Sequence, residues 1–580
     1  MNAERWIPEF ARNTLNPGRA GRALSGLAAI WPGNLAPLEE VVALLPEQAN
    51  ALGHLLSISP VCAEKLVADP EALVWLAAPE VCLEKRGLQR MRGALEKLEG
   101  EGFDSRFRAL RRWKQREMLR IALREVAGWS TVEQTTLELS NLAEITLQKV
   151  VEGWSRELAR KHGRPATEFA VLGMGKLGGR ELNYSSDIDV VFFYREEGEI
   201  TPHFSFREFH TRLAEEILAT FGANDPAGTL FRMDLRLRPE GASGPLVRSI
   251  ESMETYYAGY GETWERMALI KARVVAGSHE LGYEFAQRMQ PFIYPRSVSG
   301  DVFEEIAAIK GRIEREIVGE AALHRNVKLG YGGIREIEFI VQTLQILHGA
   351  RHAFLQEPNT LRALEALRRL QIIPFERIQM LMDAYRFLRT VEHRLQIEME
   401  AQTHLLPEKS EALGGLAKSL GFAGTPDFQS ALHGHTEAVR EIFNQLLRSS
   451  RELVQATPDP GFFRDPERAL KALADLDGGS ASARFSPRTR RLALQLEARL
   501  LEWLRDAADP DAALTRFVRF VERYGARGLL MELLLRHPRL LELLVKLFDA
   551  SRFMSEIALS QPQLIEEVTR TMGERLTRAD

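Results

Sequence analysis

Gly173-Met174-Gly175-Lys176-Leu177-Gly178-Gly179-Arg180-Glu181-Leu182-Asn183-Tyr184-Ser185-Ser186-Asp187-Ile188-Asp189 lies between two β-rich runs, 169–172 and 189–194. Formally it holds a GxGxxG after a strand, with an acid, Glu196, about 20 residues on, as a dinucleotide-binding fold requires. The spacing excludes that fold. A βαβ crossover takes at least about 10–12 residues, whereas only Arg180 to Ser186 separate Gly179 from Asp187. A phosphate-binding P-loop is excluded as well, because Leu177 stands where Ser or Thr must follow Lys176.

What survives is a double glycine, a short spacer, and Asp–apolar–Asp opening a strand. Residues i and i+2 of a strand share a face, so Asp187 and Asp189 project together while Ile188 packs behind. Adjacent carboxylates repel unless a cation lies between them, and an all-oxygen pair suits Mg²⁺. A third strand is predicted over 229–237, with Phe231, Met233, Leu235 and Leu237 on one face and Arg232, Asp234, Arg236 and Arg238 on the other. An exposed edge strand would alternate in the same way. An acid among arginines is also what a metal–phosphate site needs, since Arg forks onto phosphate oxygens. The candidate catalytic and metal-ligating residues are therefore Asp187, Asp189 and Asp234, with one or two Mg²⁺. Gly178, Gly179, Lys176, Ser185, Ser186, Arg236 and Arg238 are the candidate phosphate- or nucleotide-binding residues, and the two serines could equally cap a turn.

Outward from this module the chain reads as helix. Apolar residues recur at three- and four-residue spacing over 105–127, 205–220, 302–317, 335–348, 360–398, 429–453, 489–506 and 511–548. The fold class is mainly α with an inserted α/β module on a small mixed sheet, which resembles a nucleotidyltransferase module, followed by a helical bundle. The predicted division is 1–128 helical, 129–290 catalytic module, 291–455 helical bundle, 456–484 linker, and 485–580 a helical regulatory or connecting region. Glu392, His393 and Arg394 read as helix-packing residues, while Arg335, Glu336 and Glu338 could reach the site or form buried ion pairs.

The 580 residues carry 27% charged and 45% hydrophobic side chains with net charge −4, an ordinary globular composition without a chain-wide grip on nucleic acid. Two cysteines, Cys62 and Cys82, make disulfides and zinc improbable. The charged N-terminus is unlike a signal peptide, and no apolar run is long enough to span a membrane, so a cytoplasmic location is expected.

Four stretches carry a resemblance: 173–189; Asp234-Leu235-Arg236-Leu237-Arg238-Pro239 with Ser243-Gly244-Pro245-Leu246-Val247; Trp264-Glu265-Arg266 with Lys271-Ala272-Arg273; and Lys328-Leu329-Gly330-Tyr331-Gly332-Gly333-Ile334-Arg335-Glu336-Ile337-Glu338-Phe339. Together they resemble the bifunctional glutamine synthetase adenylyltransferase/adenylyl-removing enzyme family. Trp264–Arg266 and Ile270–Arg273 resemble its N-terminal, adenylyl-removing half more closely. The resemblance implies phosphorolysis of tyrosyl-AMP on glutamine synthetase to ADP, with AMP attachment from ATP or a silent PII-binding scaffold as alternatives. It also implies the PII signalling protein as a partner, phosphate and ADP or ATP as ligands, and glutamine as an effector. A faint repeat relates Ser59–Leu66 and Asp69-Pro70 to Ser551–Ala558 and Gln561-Pro562. With the family's two similar halves, it raises the expectation of a chain cut short of a second catalytic module.

Overall fold

In the computed structural model, residues 3–43, 49–96, 102–295, 323–451, 462–478, 487–524 and 527–565 are described. The helix expected over 302–317 lies outside them. Residues 1–449 and 450–580 form two compact units.

The first unit is organised by one mixed sheet. β1 (Phe169–Gly173) pairs antiparallel with β2 (Ile188–Tyr194). β3 (Glu199–Thr201) and β4 (Phe204–Ser205) form a separate small pair. β5 (Met233–Asp234) and β6 (Val247–Ser249) lie parallel to the start and end of β2, and β7 (Arg273–Gly277) closes the other edge against β1. The antiparallel β1–β2 pair agrees with the rejection of a dinucleotide fold, which needs a parallel crossover at this point.

Strand alternation assigns each face of the sheet to a different helical layer. Val171, Val190, Phe192 and Val275 join a core built with the helices before residue 162, including Phe103–Val126 and Val132–His162. Ala170, Leu172, Val191, Phe193 and Val274 join a second core with later helices, among them Ile334–His348 and Phe375–Met399. The stretches read from sequence as 1–128, 129–290 and 291–455 thus close around a single sheet.

Several elements differ from expectation for physical reasons. The strand over 229–237 shortens to Met233–Asp234, because the Asp234 carboxylate accepts the Arg236 amide at 2.8 Å and turns the chain away. The helix over 360–398 breaks at Gln371, which takes a left-handed backbone (φ 53°) before Pro374. Helix Val132–His162 escapes the periodicity search because its buried face carries Glu138, Ser140, Asn141, Glu144 and Thr146, which hides the apolar stripe. Its start is a capping box of Thr131 and Gln134. Strands β6 and β7 are also additional to the expectation.

The second unit is helical, with its own core from Phe463 to Ile565. Helix Pro466–Gly478 occupies part of the stretch read as a linker. The faint repeat has a structural counterpart. Helices Pro60–Ala68 and Arg552–Ser560 are each capped by a serine, Ser59 and Ser551, and each end on nearly the same backbone angles, at Asp69 (φ −138°, ψ 77°) and Gln561 (φ −133°, ψ 70°).

Candidate active site

Sheet pairing brings the acids together. Asp189 on β2 stands in register with Asp234 on the parallel neighbour β5, and Asp187 immediately precedes β2. Burial and the nearby Asp234 carboxylate push the Asp189 carboxyl up to about 6, against the opposing pull of Lys176 and Lys328. Asp234 is held lower, first by its hydrogen bonds from Arg236. Asp187 receives Arg232 Nε at 2.6 Å, and Asp234 receives Arg236 Nη2 at 2.5 Å. Both arginines are largely solvent-exposed, so these pairs contribute little stability and are readily exchanged.

The glycine facing the acids is Gly175. It adopts φ +52°, and a Cβ there would come within 2.8 Å of Asp189 Oδ2. This corrects the role given to the double glycine. The amides of Gly178 and Gly179 are spent on Met174 O and Gly175 O, at 3.1 and 3.0 Å. A Cβ on Gly178 would overlap Lys271 O, so this glycine serves close packing of the short helix Gly175–Gly178 onto the segment before β7. Arg238 is likewise turned from phosphate duty: its guanidinium donates to the backbone carbonyls of Leu235, Ala242 and Gly244.

Lys176 lies close enough to Asp189 for its charge to oppose the rise of that carboxyl, with Nζ 3.9 Å from Glu392. Lys328 and Glu392 join it. The charge of Lys176, then burial, lowers the Lys328 ammonium to about 7. Burial alone would raise the Glu392 carboxyl, but Lys176, His404 at 2.9 Å and Arg389 hold it well below its ordinary range. Lys328 opens one of the quoted family motifs and Glu392 had been read as packing. Long-range approach of the turn before helix Ile334–His348 and of helix Phe375–Met399, which no local pattern encodes, makes them part of this electrostatic cluster.

The loop leading to the acids is held residue by residue. Asn359 donates to Gly179 O, and the Thr360 amide and Lys271 Nζ reach the Glu181 carboxylate, each at 2.5 Å for Glu181. Arg389 bonds Glu181 O at 2.6 Å and Asn183; His393 Nε2 lies 3.0 Å from Asn183 Oδ1. Tyr184 donates to Glu125, and the Ser185 amide donates to Gln396 Oε1 at 3.0 Å. Arg389, His393 and Gln396 fall on one side of helix Phe375–Met399. Glu338 is paired with Lys271 at 3.2 Å and Glu336 with Arg440 at 2.7 Å, so both acids left open by the sequence are in ion pairs. Ser185 and Ser186 line a cavity next to the acid cluster.

Among the described residues no three His, Cys, Asp or Glu side chains converge as a ready metal centre. The reason is local: Asp187 and Asp234 are turned onto arginines. The donor set still fits a hard divalent cation, because Asp189 and Asp234 offer carboxylate oxygens from adjacent strands, in register on β2 and β5.

With this geometry the sequence finds its relatives. Residues 49–288 match the family model described as glutamate-ammonia ligase adenylyltransferase, and residues 303–447 the one described as GlnD PII-uridylyltransferase. A protein of Thioalkalivibrio sulfidiphilus is 36% identical over 496 residues, 80% of this chain and 51% of the relative. One of Pseudomonas aeruginosa is 33% identical over 598 residues, 95% of this chain and 60% of the relative. Both are described as bifunctional glutamine synthetase adenylyltransferase/adenylyl-removing enzyme. The chain is homologous to that family. It spans about half the length of the curated relatives it matches. Its two family-model matches meet at one site: Asp187, Asp189 and Asp234 come from the first, and Lys328 and Glu392 from the second. Among the described residues no single helix is long and apolar enough to cross a membrane.

Proposed function

We propose that this chain is a nucleotidyltransferase acting on glutamine synthetase, and that it removes AMP from an adenylylated tyrosine by phosphorolysis. The observation that carries the reading is the Asp189–Asp234 pair beneath Gly175, flanked by Lys176 and Lys328. Two carboxylates and two ammonium groups on one spot suit a reaction in which anions meet.

An oxygen of inorganic phosphate attacks the phosphorus of tyrosyl-AMP. The bond from phosphorus to the tyrosine oxygen breaks, the new P–O–P bond makes ADP, and the tyrosine oxygen takes up a proton. Asp187, Asp189 and Asp234 would hold one or two Mg²⁺, which when bound supplies positive charge to the phosphoryl oxygens. Lys176 and Lys328 neutralise incoming phosphate. Lys328 is held near neutrality by Lys176, so an arriving anion favours its charged form and strengthens its own binding. The clamped loop fixes Asp187 and Asp189 before substrate arrives, which reduces reorganisation during reaction.

Removal rather than attachment is favoured by the Trp264–Arg266 and Ile270–Arg273 resemblance to the adenylyl-removing half. Attachment from ATP is the second reading, favoured by the description of the model that residues 49–288 match. The description matched by 303–447 supports a PII-type protein as regulatory partner. Incubation with adenylylated glutamine synthetase, phosphate and Mg²⁺ should release ADP, and Asp187→Asn with Asp189→Asn should lower that rate at least about 10³-fold while circular dichroism stays native. Undiminished turnover in the double variant rules out the acid assignment. AMP incorporation from ATP without ADP release from the modified substrate reverses the direction.

A further inference from the structure

A cavity of about 1380 Å³ opens beside the acid cluster, walled by helix Phe103–Val126, the segment 224–233 and the loop at Tyr184–Ser186. Such a volume exceeds what a small ligand needs. Its inner end contains an anomaly. Lys114 is only 4% exposed, yet it has no ion-pair or hydrogen-bond partner among the described residues; its ammonium lies 4.9 Å from the Phe231 ring centroid. Of the neighbouring cations, Lys65 is paired with Glu400, and the largely exposed Arg232 donates to Asp187. Burial, then repulsion from Lys65, lowers Lys114 to about 7.

Two more donors lack acceptors nearby. Ser185 Oγ, on the cavity wall, is buried without a hydrogen bond. So is Gln396 Nε2, in a small recess that shares Lys65, Leu119, Tyr184 and Glu400 with the cavity. Gln396 is fixed by its other amide atom, which accepts from the Ser185 amide. Lys114 and Ser185 line the cavity and Gln396 the adjoining recess, so an ammonium and two donors without partners, the Ser185 hydroxyl and the Gln396 amide N–H, are available to an acceptor-rich anion. Leaving such groups buried and unpaired is costly. Arg232 connects this seat to the reaction centre, lining the cavity while donating to Asp187 and to Ser185 O.

We propose that Lys114, Ser185 and Gln396 form an oxyanion pocket that receives a phosphate group, either inorganic or carried by a nucleotide, beside the catalytic acids. The proposal goes beyond the transfer reaction, since binding here requires none of the three aspartates and no metal. It is tested on the full chain carrying Asp187→Asn and Asp189→Asn in EDTA, titrated calorimetrically with inorganic phosphate and, separately, with ADP. Saturable binding of phosphate assigns the pocket to the free anion; saturable binding of ADP alone assigns it to the nucleotide. In either case Lys114→Met should weaken binding at least about 10-fold and Ser185→Ala about 3- to 10-fold, with Lys114→Arg retaining most of it. Thermal melts of each variant separate lost binding from lost fold, and Ser185→Ala decides should Lys114→Met fail to fold. Absence of saturable binding by both probes overturns the pocket. So does binding that the folded Lys114→Met or Ser185→Ala chain retains in full. Because the readout is metal-free binding, failure of the transfer reading leaves this result intact.

Discussion

Glu181 and Asp187 stand at the two ends of one short loop and are treated in opposite ways. Glu181 is buried, gripped by Lys271, and also accepts the Thr360 amide. Among the described residues Asp187 is offered only Arg232, which lies mostly in solvent. The same contrast separates the whole clamp from the whole acid cluster. Glu125 beneath the loop is held down to about 2, where burial is outweighed by His393, Arg394 and Tyr184; Asp189 above it is left to rise to about 6. A protein that can satisfy a buried carboxylate so thoroughly, a few residues from others it does not satisfy, has reserved the second set for something that arrives later. Charges that are fully paired hold the structure, and charges left in mutual repulsion mark the chemistry.

The contrast can be broken most severely at Lys271. Lys271→Met leaves Glu181 and Glu338 buried without their cation and should cost about 3–5 kcal/mol, read as a loss in denaturant midpoint. A change under about 1 kcal/mol would remove the distinction between the two regions. Glu125→Gln comes next. The folded carboxyl is depressed relative to the ordinary value of 4.5, so its contribution is present above pH 4.5 and disappears as pH falls through about 2. The variant should therefore lose about 3 kcal/mol at pH 7 and progressively less on acidification, in urea titrations at several pH values.

Asp189→Asn should have the opposite sign. A raised carboxyl penalises the folded, metal-free chain at pH values above about 6 and not below 3.8. The asparagine chain should thus be more stable by about 2 kcal/mol at pH 7.5 in EDTA, with the gap closing towards pH 4. A destabilised variant at pH 7.5 would place Asp189 with the clamp instead. The smallest effect is expected at Arg236→Ala, whose side chain is 81% exposed: under about 1 kcal/mol by thermal melt.

The sequence disclosed the acids and concealed what holds them. Asp187, Asp189 and the strand around them follow from a two-residue period, and rejection of the dinucleotide fold follows from a spacer too short for a helix. Asp234 followed from alternation, although its strand proved to be two residues long. The double glycine misled because a glycine can be selected by a ligand or by a neighbouring backbone, and composition does not distinguish them; Lys271 O decided for Gly178. Helix Val132–His162 was hidden for a related reason. Its polar residues face inward, where Ser140 accepts the Leu182 amide and Glu144 holds Arg273, so hydropathy no longer reports burial.

The partners of the loop have one more consequence, which concerns time. Arg389 binds Glu181 O across 208 residues and His393 meets Asn183 across 210. At a synthesis rate of about 5–20 residues per second, the ribosome takes roughly 10–40 s to supply the second half of each contact. Throughout that interval the nascent loop has Glu125 and Ser140 available to Tyr184 and Leu182, but carries its aspartates without Arg389, His393 and Gln396. A fragment ended between the two family-model matches, after residue 288, would stay in that condition permanently: it would keep every acid and lack the helix that aims them.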